Sequence, residues 1–485
     1  MNVQQFPEVD KTSYPPRYLT CLFVNLDAKM RPSLERSEVF TMGVAMAIIA
    51  PKGRKHLSAD ALFRLVRSGF ANIPDHRSDE VDLSFTDALM SGFAMVSLTS
   101  PSLLAFDKQR VEGNVDTIYG IPHAPCDTRM RERLDPVSPE SLRASFQSVF
   151  RQLQRGKALE EMGWLDGYDL LARDGTGYFS SQTIHGDSCR HTVHRHGAIT
   201  SYHQLLGAAM LHPDRRAVLP LMPEPILKQE GTETNDWERH AAKRFMTTLR
   251  QDHPPLTCIV TEARLSSNAP HIETRHDAAC HDILGVKEGD HPSVFNQVQA
   301  AEDAGAVTSY ERHDRATGVV HRFRFVNAMP LHASRADVRV TFLEYWEITQ
   351  DQVPHCSGVT DLRVSKRNVY KRMQGGRARW KIANETCNTL KNQGDNFEHT
   401  DGHGEKNLSV VCATLMMLAF FVDQTQQLCC ALFQAVCVKL GSKRLLWERM
   451  RALFYDDALT SMRQLFEALL YGFKKSHPSM ASDAS

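Results

Sequence analysis

Several features that would assign a class at once are missing from this chain of 485 residues. Its eleven cysteines include no Cys-x-x-Cys pair and no spacing typical of a disulfide framework, so we expect a reducing, cytoplasmic environment. No basic segment leads into an apolar run near residue 1, so no secretion signal is predicted. The formal net charge is zero, so no overall basic field indicates nucleic-acid binding.

Long apolar runs are also scarce. The run Leu408–Val422 ends at Asp423 and is shorter than the roughly 20 apolar residues that a membrane-spanning helix needs. It is therefore predicted to be a buried core helix, and no membrane association is expected. With 42% hydrophobic and 24% charged residues, the chain has the composition of a soluble globular protein. Its length allows about two to four domains.

Helical spacing dominates the chain before residue 160, apart from a first stretch, residues 1–80, whose pattern is uncertain. Within residues 81–160, apolar side chains recur at helical spacing over Phe85–Val96, and a second amphipathic helix is predicted over 136–155. This region is a candidate for DNA binding, although it carries no helix-turn-helix signature.

After residue 160 the pattern changes. Residues 161–292 and 358–400 contain three strands, a helix, a strand, a helix, a strand and a late helix, an order that predicts a mixed sheet with helices on both faces. Residues 293–357 alternate polar and apolar side chains and predict an antiparallel β insertion. Residues 401–475 return to helix. The predicted fold class is α/β, with helical N- and C-terminal flanks.

Asp174 is the first candidate site residue. It lies shortly after Tyr168–Ala172, which is predicted to be a strand, and it precedes Gly175-Thr176-Gly177, which predicts a turn. A carboxylate at the end of a buried strand is held rigidly and remains accessible, so it is suited to binding a divalent metal. The alternative is a plain turn residue.

Asp174 begins the first of five segments whose order along the chain matches a known pattern. They are Asp174-Gly175-Thr176-Gly177, Asn235-Asp236-Trp237-Glu238, Ile259–Leu265, Gly376–Glu385 and Gly402–Leu408. On these segments the chain resembles the DDE transposases of bacterial insertion sequences, of the insertion-sequence-four type. The resemblance implies an RNase-H-like core in a bacterial cytoplasmic protein. It also implies binding to the terminal inverted repeats of an element and to target DNA, with assembly as a homodimer.

In that family three acids hold two Mg²⁺ ions, which cut and rejoin DNA. The ions, about 4 Å apart, neutralise the phosphate, lower the pKa of the attacking water and stabilise the leaving oxygen. Asp174 matches the first acid and is the one metal ligand retained. The positions of the second and third acids fall on Ala263 and Ala383. The resemblance thus implies that Mg²⁺ binding and strand transfer are weak or lost in this chain.

Two neighbouring acids are fallback ligands. Glu262 is one residue from Ala263, and adjacent strand residues point to opposite faces. Glu385 is two residues beyond Ala383, which on a helix is a rotation of about 200°. Both acids are therefore expected to point away from Asp174, unless the helix is kinked at Glu385.

Basic residues near the late helix are the predicted DNA contacts. They are Arg377, Arg379, Lys381 and Lys391, and Arg379 is expected to flank the site because it lies four residues before Ala383. A solvated basic helix face is the alternative. A second cluster is formed by His185, Cys189, His191 and His194, where loop histidines are favoured over a zinc site.

The predicted function is that of a transposase by resemblance, with impaired catalysis. The competing interpretations are a DNA-end-binding protein without enzymatic activity and a poorly folding remnant.

Overall fold

In the computed structural model, the described residues are 54–77, 83–110, 113–185, 189–226, 234–332, 334–393, 397–398 and 402–472. The first 53 residues of the predicted region 1–80 lie outside these ranges.

The helices are grouped before and after the strand-rich middle of the chain. Those before it are α1 Ala59–Phe70, α2 Phe85–Ser97, α3 Leu103–Gln109, α4 Val115–Tyr119, α5 Asp127–Leu134 and α6 Arg143–Arg155. Those between strands are α7 Thr234–Asp252, α8 Ala269–Asp277 and α9 Pro292–Asp303. Those after the strands are α10 Val369–Ala378, α11 Asn388–Asn392, α12 Leu408–Cys429, α13 Ala431–Leu440, α14 Lys443–Asp456 and α15 Met462–Tyr471.

The strands form one mixed sheet, so the predicted α/β class is confirmed at that level. They are β1 Gly163–Leu165, β2 Tyr168–Ser181, β3 Arg190–Val193, β4 Ile199–Leu211, β5 Leu219–Pro220, β6 Glu224–Ile226, β7 Cys258–Glu262, β8 His281–Val286, β9 Thr308–His313, β10 Val320–His332, β11 Arg335–Ile348 and β12 His355–Thr360. Their order is β3-β4-β2-β7-β8-β12-β11-β10-β9, with β1 on β2 and both β5 and β6 on β4. The pairs β2–β7 and β7–β8 are parallel, and the other pairs are antiparallel.

Strand β2 is longer than predicted, and the expected turn at Gly175-Thr176-Gly177 is wrong. The strand continues to Ser181 because β4 pairs with it from Leu170 onward, and the register shifts only between Gly177 and Phe179. Because β4 hydrogen-bonds the backbone of Gly175-Thr176-Gly177, this segment stays in the strand although its residues favour a turn.

The predicted β insertion, residues 293–357, begins with helix α9, and its strands are part of the main sheet. Its last strand, β12, extends past the predicted boundary to Thr360 and pairs with β8, so that Thr360 lies opposite Ile283. Helix α9 packs on β10. The strands of this region therefore continue the core sheet at the edge of β8.

The flanking helices enclose α12. Helix α12 packs against α2 and α6, and its side chains from Val411 to Val422 are almost all buried. In the described part of the chain it is the one helix long and apolar enough to cross a membrane, and 83% of its apolar window is buried inside the protein. This burial is what the sequence predicts for a core helix.

A buried ionic cluster joins β2 and β7 on the α7 and α8 side of the sheet. Glu262 pairs with Arg173 and accepts a hydrogen bond of 2.6 Å from Nη1 of Arg275. His271 Nε2 lies 3.2 Å from the same carboxylate, and Arg173 also donates to the Ala242 carbonyl of α7 at 3.0 Å. Because alternate residues of β2 face opposite sides, seating Arg173 here directs Asp174 to the other face.

We expect Arg173→Ala to destabilise the protein by about 3–5 kcal/mol, because it leaves the Glu262 carboxylate buried with an incomplete set of partners. The free energy of unfolding from denaturant titration measures this loss. Arg151, exposed on α6, is the matched control, and its replacement by Ala should change stability by less than about 0.5 kcal/mol. Equal losses in the two variants would contradict the assigned role of the cluster.

Candidate functional site

Asp174 lies on the sheet face that is covered by the segment following β12. Its Oδ2 is 4.0 Å from Nη1 of Arg379, and both side chains are 31% exposed. Burial raises the pKa of Asp174, whereas the nearby Arg379 guanidinium and the Gly175 N–H lower it. Burial has the larger effect, so the pKa of Asp174 lies above its usual value. The carboxylate is thus close to a cation and still open to solvent.

The covering segment changes from an α-helix to a wider turn next to Asp174. After α10 the chain forms a π-helix at Ile382–Cys387 and then enters α11. The Cys387 thiol hydrogen-bonds Thr176, and burial, reinforced by the Asp174 charge, raises its pKa to about 11. Ala383 lies within this π-helix, four residues before Cys387. Short π-helices are frequent at functional sites.

Ala263 lies beside Asp174 on the neighbouring strand. The parallel pairing of β2 and β7 places Ala172 opposite Thr261, and continuing this register brings Ala263 level with Asp174. Since the preceding pair, Arg173 and Glu262, meets on the opposite face, alternation puts Ala263 on the Asp174 face. Of the two positions that the resemblance assigns to acids, position 263 therefore lies beside Asp174, and position 383 lies in the π-helix of the covering segment.

The fallback acids are held elsewhere. Glu262 is enclosed in the buried cluster; burial opposes its ionisation, but Arg173 and Arg275 outweigh burial and hold its pKa well below the usual range. Glu385, within the π-helix, lies 3.9 Å from Arg216. Its charge also acts on Lys381: burial lowers the pKa of Lys381, and Glu385 partly offsets that effect. A kinked helix is thus present, but the partners of Glu385 are these two cations.

Glu238 on α7 is an acid whose position sequence reasoning did not single out. A Cβ atom at Gly175 would lie 3.1 Å from its Oε2, so the glycine allows the helix to approach β2. Gly175 shares its face with Arg173, so Glu238 contacts the sheet on the side opposite Asp174. Burial raises the pKa of Glu238, and the charges of Asp174 and Glu262 raise it further. The sequence feature that points to Glu238 is its position in the segment Asn235–Glu238.

The four predicted DNA contacts differ in the protein groups that they contact. The Lys381 ammonium donates to the carbonyls of His212, Pro213 and Arg215 at 2.6–2.7 Å, so all three of its protons are used. Its prediction as a DNA contact is withdrawn on that ground.

Arg377 is likewise engaged. Its guanidinium pairs with Glu347 and lies 5.5 Å above the Tyr345 ring, away from the Asp174 contact made by Arg379. Lys391 Nζ is 2.9 Å from Glu398, which is largely exposed. Arg379 and Lys391 are the predicted contacts that influence Asp174, since both lower its pKa against burial.

A cleft of about 240 Å³ adjoins Lys391. It is lined by Thr99, Pro101, Lys391, Asn392, Arg444, Trp447, Glu448 and Arg451. Three of these side chains are basic and one is acidic, so the lining favours an anion. Arg444 is exposed beside Glu448 at 3.4 Å, whereas Arg451 donates to the carbonyls of Leu98 and Thr99. Lys391 therefore connects the surroundings of Asp174 with this basic cleft.

The residues around Asp174 do not fit a pair of Mg²⁺ ions. Mg²⁺ requires several hard oxygen ligands at octahedral positions and gives up water reluctantly. Asp174 supplies one carboxylate, the alanine side chains at positions 263 and 383 offer no oxygen ligand, and Arg379 places a positive charge 4.0 Å from Asp174. An arginine at this distance favours an anion at the site instead.

Comparisons with known proteins give no family assignment. No family model matches the chain, and no curated protein matches it. Among solved structures, the chain is similar to piggyBac transposase in a cryo-EM structure of its synaptic complex with hairpin DNA. The identity is 9%, the TM-score is 0.38, and 90% of each chain is covered. At these values the likeness decides neither the family nor the activity of this chain.

We expect Asp174→Asn to stabilise the protein at neutral pH by roughly 0.5–2 kcal/mol, as replacements at functional sites often do. The folded pKa of Asp174 lies above its unfolded value, so the charged form costs stability above the folded pKa. The gain should therefore disappear as the pH falls below the unfolded pKa of about 3.9. Denaturant titrations at several pH values measure it.

The matched control is Asp351→Asn, at an exposed loop position, which should stay within about 0.5 kcal/mol of the wild type at every pH. A destabilised Asp174→Asn variant at pH 7 would show that the Arg379 contact outweighs burial.

Proposed function

We propose that this protein is a transposase-like DNA-binding protein with an RNase-H-like core, and that its strand-cutting site is disabled. The observation that carries the proposal is the contact of Asp174 with Arg379 at 4.0 Å, together with alanines at positions 263 and 383, where the resemblance expects acids. A site of this kind attracts a phosphate without holding the metal ions that would cleave it.

The strand order supports the core assignment. β2, which carries Asp174, is central, with antiparallel β4 on one side and parallel β7 and β8 on the other. The family pattern places its first acid on the first strand, its second at the end of the fourth and its third on a late helix. The resemblance assigns Asp174, Ala263 and Ala383 to these three positions, and on that assignment we favour a lost metal centre over an unrelated site.

Three features favour DNA as the partner. Arg379 is partly exposed and faces the Asp174 pocket, so it can meet a phosphate oxygen. Trp380, the next residue, is 43% exposed, and an exposed indole beside cations suits stacking on an unpaired base. Lys391 then leads to the basic cleft that includes Arg444. Binding as a homodimer to paired DNA ends fits this proposal.

We expect the full-length protein to bind duplex DNA from the region flanking its gene, with an affinity that falls as salt increases. Arg379→Ala should weaken binding and reduce the magnitude of the slope of log K against log salt by about 1, because one phosphate contact is lost. Fluorescence anisotropy across a salt series measures both quantities.

Arg377→Ala is the matched control, since Arg377 lies on the same segment but is paired with Glu347. The slope of log K against log salt for Arg377→Ala should equal that of the wild type. Absence of salt-dependent binding, together with a broad thermal transition, would favour a non-functional remnant. An equal effect of the two variants would contradict the assignment of Arg379.

Restoring the missing acids should produce cleavage. The wild type is expected to leave the duplex intact in Mg²⁺ or Mn²⁺, whereas Ala263→Asp combined with Ala383→Glu should nick it, because three carboxylates then converge on one point. Gel analysis of end-labelled DNA shows the nicks.

The control is the same double variant with Asp174→Ala added, which should lose the gained activity. Cleavage by the wild-type protein would contradict the proposal that its strand-cutting site is disabled. Failure of a correctly folded double variant to nick DNA that it binds would overturn the placement of the missing acids while leaving DNA binding intact.

A further inference from the structure

A second site lies farther along the same strand pair, outside the Asp174 pocket. The Cys189 Sγ atom lies 3.4 Å from His203 Nε2 and 3.1 Å from His403 Nε2, and the two Nε2 atoms are 3.1 Å apart. Three potential metal ligands thus converge on one point, although Cys189 and His403 are 214 residues apart in the chain.

Each ligand is positioned by a different element. Cys189 is buried immediately before β3, and His203 lies on β4 opposite Phe179 of β2. His403 belongs to the loop before α12, and this loop is fixed because the Asp135 carboxylate accepts the backbone N–H groups of residues 405–408 at 2.9–3.2 Å. Convergence therefore follows from the packing of three separately held segments.

The His403 ring can present its Nε2 atom in the form that binds a metal. Its Nδ1 lies 3.0 Å from the Gly404 carbonyl and can donate to it, which leaves the Nε2 lone pair directed at the cluster. Tyr178 and Phe179 stack against His203 and limit its rotation.

A cation explains this close approach better than hydrogen bonds alone. With His403 donating through Nδ1, at most two protons are available for three contacts between Cys189, His203 and His403. A tetrahedral Zn²⁺ with Zn–N bonds of about 2.05 Å and Zn–S bonds of about 2.3 Å separates its ligands by about 3.3–3.6 Å. The observed 3.1–3.4 Å needs an opening of only a few tenths of an ångström.

We propose that Cys189, His203 and His403 bind one Zn²⁺ ion, with a solvent molecule as fourth ligand. One thiolate and two imidazoles form a donor set typical of zinc and unlike the carboxylate set that Mg²⁺ prefers. The ion would tie the β3–β4 hairpin to the loop before α12, as a structural cross-link.

The zinc ligands differ from the sequence cluster around Cys189. His191 Nδ1 contacts the Ser201 hydroxyl at 3.1 Å, and His194 Nε2 contacts Thr200 Oγ1 at 2.8 Å, so both serve the hairpin itself. His185 is exposed. Of the four residues in that cluster, Cys189 alone joins the site, and its partners come from β4 and from the distant loop.

The test uses the full-length protein stripped with a chelator and then titrated with Zn²⁺ or Co²⁺. We expect one equivalent of zinc to remain after gel filtration, measured by elemental analysis. The Co²⁺ form should show thiolate-to-cobalt charge transfer and the visible absorption of a four-coordinate ion. Cys189→Ala should remove the charge-transfer band, and His403→Ala should weaken zinc binding at least about tenfold.

His191→Ala and His194→Ala are matched controls from the same hairpin and should bind zinc like the wild type. His403→Cys guards against a folding artefact, since it supplies a second thiolate and should keep zinc with a stronger charge-transfer band. A wild-type protein that takes up no stoichiometric metal would overturn the proposal, as would an unchanged cobalt spectrum in Cys189→Ala. No DNA is present, so the result is independent of the proposed function.

Discussion

The buried pairing of Arg173 with Glu262 is the constraint on which the candidate site depends. It joins the central strand β2 to β7, and Arg275 and His271 extend it to α8. A pair of this kind is strongly position-specific, because any slip of one residue would leave an unpaired charge in the interior. With Arg173 committed to one face, the next residue, Asp174, can only lie on the other.

That arrangement changes what the Asp174 pocket can do. The same scaffold that would gather acids instead brings Asp174 close to Arg379 and to a basic cleft reached through Lys391. Local charge therefore favours phosphate, while the number of carboxylates disfavours a metal pair. In the proposed function, DNA binding and cleavage depend on separate residues, so the loss of one does not require the loss of the other.

The pattern of apolar residues along the sequence predicts the mixed sheet and the core helix α12. The proximity of Arg379 to Asp174 is expected from the resemblance, which places the late helix at the site. The sequence does not predict the length of β2, since pairing with β4 decides whether the glycines turn. Nor does it show that Lys381 is enclosed by carbonyls or that His403 meets Cys189. Those contacts depend on long-range packing, which a single sequence records only as isolated polar residues.

The pairing of β12 with β8 has a consequence for the chain while it is being synthesised. Until residues 355–360 are synthesised, β8 has one edge with unpaired backbone groups, and its own side chains Leu284 and Val286 are apolar. An open strand edge of this kind recruits other strands. A product terminated within the β9–β11 region would therefore be prone to aggregate, whereas the continuous sheet closes that edge within one molecule.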